Sequence, residues 1–305
     1  MNSTFGNLKA VYGVQSAMAQ QAKQKKRRSL FSIIFGRKRA KKKAVVLQGN
    51  RANRSKKPRR KRSQGAAAAA LTAVEKSEDA KVVLVIGDFF AGGLADGLAV
   101  ALAQAPALKV VDKSKGLSGF VRSDIVDWPA VLPDLVAETK PSYIVAMLGT
   151  NDRQQLRHGG KRLKKQTPEW FEAYGERVSR LGKSLKATKI NYAWVGLPSV
   201  RFKTMNKDFL RFNEMYGKAA ASPQGKFIDV WDGFSDADGN YSRSGPDVNG
   251  QIVLLRSKDG INMTRAGKRR LAYYVEGIIQ KLFDGDISNN AGLAGTGIDV
   301  ESYAA

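Results

Sequence analysis

Four short blocks gather residue types that can do chemistry: Gly87-Asp88-Phe89, Gly116-Leu117-Ser118-Gly119, Gly149-Thr150-Asn151-Asp152 and Asp259-Gly260-Ile261-Asn262. The first follows the apolar run VVLVI, and a strand-to-helix turn is where many hydrolases present a nucleophile. That seat holds Phe89, whose benzyl group has no nucleophilic atom. Ser118 is the alternative hydroxyl, and His158, the single histidine of the chain, is the alternative base. Together they would give nucleophilic catalysis by an activated serine. The bland readings stand beside these. A loop serine bonds the backbone, and an asparagine after a strand does the same. A histidine among Arg157, Lys161 and Arg162 is a solvated loop residue. Asp259 alone, as a solvated carboxylate, is a weak base at neutral pH.

These blocks need a frame that brings them to one edge. Apolar runs at 82–86, 108–111, 143–148, 190–196 and 226–230 alternate with helical spacing at about 94–105, 128–139, 168–187, 205–221 and 264–283. Strands alternating with helices predict a parallel sheet covered on both faces, a three-layer α/β/α sandwich of about five strands. Ligands in such sheets bind beyond the carboxyl ends of the strands, where the first three blocks fall. Trp128, Trp170, Trp194 and Trp231 read as core.

Charge is distributed unevenly. Residues 1–74 hold 20 of the 52 Lys and Arg and none of the 27 Asp and Glu, so the remainder carries 32 basic against 27 acidic residues. The expected organisation is a basic, mostly disordered tail over 1–80, a folded domain over 81–284 and a loose tail over 285–305. An alanine run, Ala66 to Ala70, reads as a short helix ahead of the domain. The apolar cluster Leu30 to Phe35, set between basic runs, has the character of an anionic-membrane contact or a docking segment. Ala17-Met18-Ala19 has the form of a signal-peptidase site but lacks a hydrophobic region before it. The absence of cysteine excludes disulfides, thiolate metal sites and a cysteine nucleophile, and one histidine excludes a multi-histidine metal site. No metal and no cofactor is expected.

The order and spacing of the four blocks resemble the SGNH, or GDSL-type, hydrolases, in a bacterial branch often described as periplasmic. The resemblance covers about 81–284 and extends to the phrases GLADGL, DWPAVLPDL, MLGTNDRQ, WVGLP and DGINMTRAGKRRLAYYVEG. It implies a flavodoxin-like SGNH hydrolase fold. It also implies roles: Phe89 stands at the serine position, Asn262 at the histidine position, and Asp259 is the retained acid. Gly119 and Asn151 stand at the oxyanion-donor positions, with Gly87 and Asp88 structural in the turn.

Three functions follow as expectations. The first is an inactive or strongly impaired esterase that acts as a binding protein at the cell envelope, with an anionic glycan or acylated ligand in its cleft. The cluster Arg153, Arg157, His158, Lys161, Arg162, Lys164 and Lys165 beside the cleft mouth supports the anionic choice. The second is a working esterase or acyl-transfer enzyme rebuilt on Ser118 and His158. The third is binding of nucleic acid or an anionic membrane surface through residues 1–74, by salt-dependent contacts with phosphate.

Overall fold

A computed structural model describes residues 73–290, with side chains described as far as Phe283. The expectations for the basic tail, for Ala66 to Ala70 and for residues 291–305 lie outside the described residues. Along the chain run β1 (Lys81–Gly87), α1 (Phe89–Ala101), β2 (Leu108–Asp112), α2 (Trp128–Thr139) and β3 (Tyr143–Met147). A hairpin of β4 (Leu156–His158) and β5 (Lys161–Leu163) follows, then α3 (Pro168–Ala187), β6 (Asn191–Val195), α4 (Lys203–Ala220) and β7 (Gly225–Ile228). A second hairpin of β8 (Ser244–Pro246) and β9 (Ile252–Leu254) precedes α5 (Arg265–Asn290).

The sheet order is β2-β1-β3-β6-β7, and every pairing in it is parallel. Helix α1 packs with α5, and α3 packs with α2 and α4, which makes the expected three layers. Parallel strands covered on both sides must be apolar throughout, and β3 is buried at all five positions. All four tryptophans are buried, as expected. Between α3, α4 and the sheet, Trp170 stacks on Tyr174 at 4.9 Å, Tyr174 on Phe212 at 4.5 Å, and Trp194 on Tyr216 at 5.2 Å.

The strand order reverses at β1, whose neighbours β2 and β3 are reached by connections leaving in opposite directions. The crevice at the carboxyl ends of β1 and β3 is therefore the switch point where such sheets bind ligands. Two boundaries differ from the sequence expectation. Helix α1 starts at Phe89 instead of near 94, because Asp88 already caps it by accepting from Phe90 N at 3.1 Å. The backbone of α5 continues to Asn290, into the span expected as a loose tail.

Candidate functional site

The site starts from Asp88, which is fully buried. Besides capping α1, its carboxylate accepts from Gly149 N at 2.8 Å, Thr150 N at 2.7 Å and Thr150 Oγ1 at 3.0 Å. One side chain thus ties the end of β1 to the end of β3. Burial, then the charge of Asp152, pushes its carboxyl up to about 7 against the pull of these donors. Gly87 makes the close approach of the two strand ends feasible. Its φ is +137°, and a Cβ there would stand 1.8 Å from Met147 O.

The second and third blocks are joined by Asp152, to which the four-block resemblance assigns no role. It is fully buried and accepts from Phe120 N at 3.0 Å, Val121 N at 2.9 Å and Tyr174 Oη at 3.0 Å. Burial pushes its carboxyl up to about 6. Tyr174 Oη in turn lies 2.6 Å from Tyr216 Oη, and burial drives both phenols well above their ordinary range. Gly119 lies flat against this carboxylate: a Cβ there would come within 2.3 Å of Asp152 Oδ1. Asn151 Nδ2 donates to Gly116 O at 2.8 Å and to Ser118 O at 2.9 Å. Both hydrogens of its amide are thus spent on the loop that carries Gly119.

The proposed replacements for the catalytic pair are not assembled, which corrects the reading of Ser118 and His158 as a rebuilt site. Ser118 is fully buried; its hydroxyl donates to Gly87 O at 3.3 Å and accepts from Trp128 Nε1 at 3.2 Å. It buttresses the turn and faces no cleft. His158 ends β4 on the exposed hairpin, with Nε2 3.7 Å from Glu176 Oε2 on α3. Neither partner of the Ser118 hydroxyl is this imidazole.

In the fourth block Asp259 accepts from Asn262 Nδ2 at 2.5 Å, Ile261 N at 2.8 Å and Asn262 N at 2.9 Å. The Asn262 side-chain bond, followed by the Ile261 amide, holds the Asp259 carboxyl below its ordinary value. Under this turn lies Arg256, fully buried and unannounced by any pattern in the sequence. Its Nη1 donates to Ile261 O at 2.8 Å and its Nη2 to Ser199 O at 2.6 Å. The guanidinium carbon lies 4.7 Å from the centre of the Phe234 ring and 5.4 Å from that of Phe90. Burial pushes it down to about 10.

Phe89 and Asn262 meet in one pocket of about 120 Å³, whose other walls are Phe90, Gly93, Met263 and Lys268. Phe89 is 39% exposed, an aromatic ring left open on one wall of the pocket. Lys268 is ion-paired with Asp96 at 2.5 Å. Gly119 and Asn151 are not among these walls. The walls carry no hydroxyl or thiol, so the pocket offers no serine-type or cysteine-type nucleophile. Among the described residues, no three His, Cys, Asp or Glu side chains come together to hold a metal.

The fold is similar to a proposed acylhydrolase from Bacteroides fragilis NCTC 9343 at 12% identity and a TM-score of 0.48, over 69% of this chain and 91% of that one. It is similar to TesA at 21% identity and a TM-score of 0.44, over 66% and 99% of the two chains. A catalytic mutant of an acetylxylan esterase from Geobacillus stearothermophilus matches at 16% identity and a TM-score of 0.44, over 66% and 94%. No curated protein matches the sequence. Residues 82–277, from β1 into α5, match the family described as "Protein of unknown function (DUF459)", and the chain belongs to that family, which is associated with SGNH-like hydrolases.

Proposed function

We propose that this chain keeps the frame of an ester hydrolase without its chemistry, and that the pocket beside Phe89 serves binding in place of turnover. The observation that carries this reading is the pairing in that pocket: Phe89 and Asn262 line it together, while Asp259 holds the Asn262 amide as it would hold an imidazole. A benzyl ring cannot attack a carbonyl, and a carboxamide cannot take a proton from an attacking hydroxyl near neutral pH. In a serine triad, loss of the nucleophile or the base costs on the order of 10⁶ in turnover, and what remains, about 10³ to 10⁴ over water, comes from the oxyanion hole and binding. Here even that remainder is compromised, because both amide hydrogens of Asn151 are bonded to loop carbonyls.

A fluorophosphonate probe and short-chain nitrophenyl esters test this directly. The expected result is no labelled serine and no hydrolysis above that of buffer. Stoichiometric labelling of any serine, or turnover that follows the protein through purification, would overturn the reading.

A further inference from the structure

Away from the Phe89 pocket, a second and larger cleft of about 530 Å³ opens between the β4–β5 hairpin, the segment after Gly119 and one face of α3. Four arginines line it: Arg122, Arg157, Arg162 and Arg177. Arg177 fastens its walls together, donating through Nη1 to Phe120 O at 2.6 Å and Ser123 Oγ at 3.3 Å, and through Nη2 to Arg157 O at 2.6 Å. The backbone that carries Arg157 is therefore fixed by another guanidinium of the same cleft.

The charges in the cleft are poorly compensated. Asp124 brings the one carboxylate to the lining, and Arg122 binds it at 2.9 Å. Asp152 and Asp127, which do not line the cleft, attract Arg177, while the like charge of Arg180 opposes them. Arg157 and Arg162 have no carboxylate partner among the described residues, and they sit directly opposite each other across the hairpin. Because Leu156 is fully buried, the alternation of the strand turns Arg157 to the other face. Like charges placed opposite each other weaken a strand pair, so the hairpin holds this pair at a cost to itself. An anion between the two would turn that cost into charge-assisted hydrogen bonds, and guanidinium forks suit planar carboxylate and phosphate groups. The volume is that of a small-molecule site, for which about 300–1,000 Å³ is usual, and far exceeds a lone oxyanion. Ser123 and Gln155 add a hydroxyl and an amide suited to neutral polar atoms.

We propose that this cleft binds an anionic sugar, with Arg157 and Arg162 gripping its carboxylate or phosphate ester and Arg122 and Arg177 flanking them. The proposal goes beyond the binding function above, since this cleft shares no lining residue with the Phe89 pocket. Ester turnover and sugar binding are separate readouts, so either can fail alone.

The test is calorimetric titration of the full chain with trigalacturonate, glucose 6-phosphate and neutral maltotriose, at about 0.15 M salt, where screening acts beyond about 8 Å. At least one anionic sugar is expected to bind and maltotriose is not; which of the two binds identifies the anionic group. Arg157→Gln/Arg162→Gln should weaken binding about tenfold or more, the loss of at least one charge-assisted bond, while Lys161→Gln/Lys164→Gln, an equal change of charge, should cost less than about twofold. The arginine double variant should melt no lower than the wild type, since a like-charge pair is removed. Failure of both anionic sugars to bind, equal effects of the two double variants, or a destabilised arginine variant would each overturn the proposal.

Discussion

Asp88 and Asp152 are buried acids held by backbone donors, whereas Asp259 is exposed and held by Asn262, and the three respond to pH in opposite senses. For Asp88 and Asp152 the folded carboxyl is raised, to about 7 and about 6, above the ~4 of an unfolded chain. The folded state binds their protons more tightly, so the stability linked to them is complete below pH ~4 and is lost as pH rises through 6 and 7. Asp259 is lowered, and its contribution is lost only as pH falls below the usual carboxylate range. The unfolding free energy from urea titration should therefore fall by roughly 2–4 kcal/mol between pH 5 and pH 8. A flat or rising profile would contradict the assignment. At this scale the sequence told where residues stand but not what they touch. Phe89, Asn262 and Asp259 were legible because their types fix their chemistry. The fates of Ser118 and Asn151 were not, because they depend on Trp128 Nε1 and on carbonyls some thirty residues away in the chain.

Among the elements, the turn bearing Asp259 and Asn262 depends on Arg256 beneath it. Replacing Arg256 with Met keeps much of the volume but strands the Ile261 and Ser199 carbonyls, each bonded now at 2.8 Å or less. Unmet buried acceptors cost about 1–3 kcal/mol each, so Arg256→Met should lower stability by roughly 2–4 kcal/mol, measured by chemical unfolding. An unchanged midpoint would show that the turn holds itself. The five sheet strands and the helices behind them were legible because their apolar runs and periods are long enough to count. The hairpins β4–β5 and β8–β9 were not, since three-residue strands carry no period. That gap hid the register that sets Arg157 against Arg162. The start of α1 was misplaced for another reason: Asp88 reads equally well as a turn residue and as a cap.

Over the whole molecule, charge and chemistry separate into different stretches of chain. With 20 basic residues and no acidic ones, residues 1–74 should dominate sequence-blind attraction to polyanions. Deleting them should remove most salt-dependent binding to duplex DNA and to anionic liposomes; retention of either would place that attraction in the folded domain. The folded domain holds the switch-point crevice, the Asp88 clasp between strand ends and the Asp259 turn, while Phe89 and Asn262 supply neither nucleophile nor base and the Asn151 amide is engaged by its own loop. The most direct measurement is hydrolysis of nitrophenyl acetate by the wild type, by Phe89→Ser, by Asn262→His, by both changes together, and by both with Asp259→Ala. A triad acts as a unit, so the wild type and the single variants should stay at the buffer rate, the double variant should gain turnover, and Asp259→Ala should remove the gain. Turnover by the wild type, or a double variant no faster than buffer, would contradict the claim that a hydrolase frame with its acid in place surrounds Phe89 and Asn262.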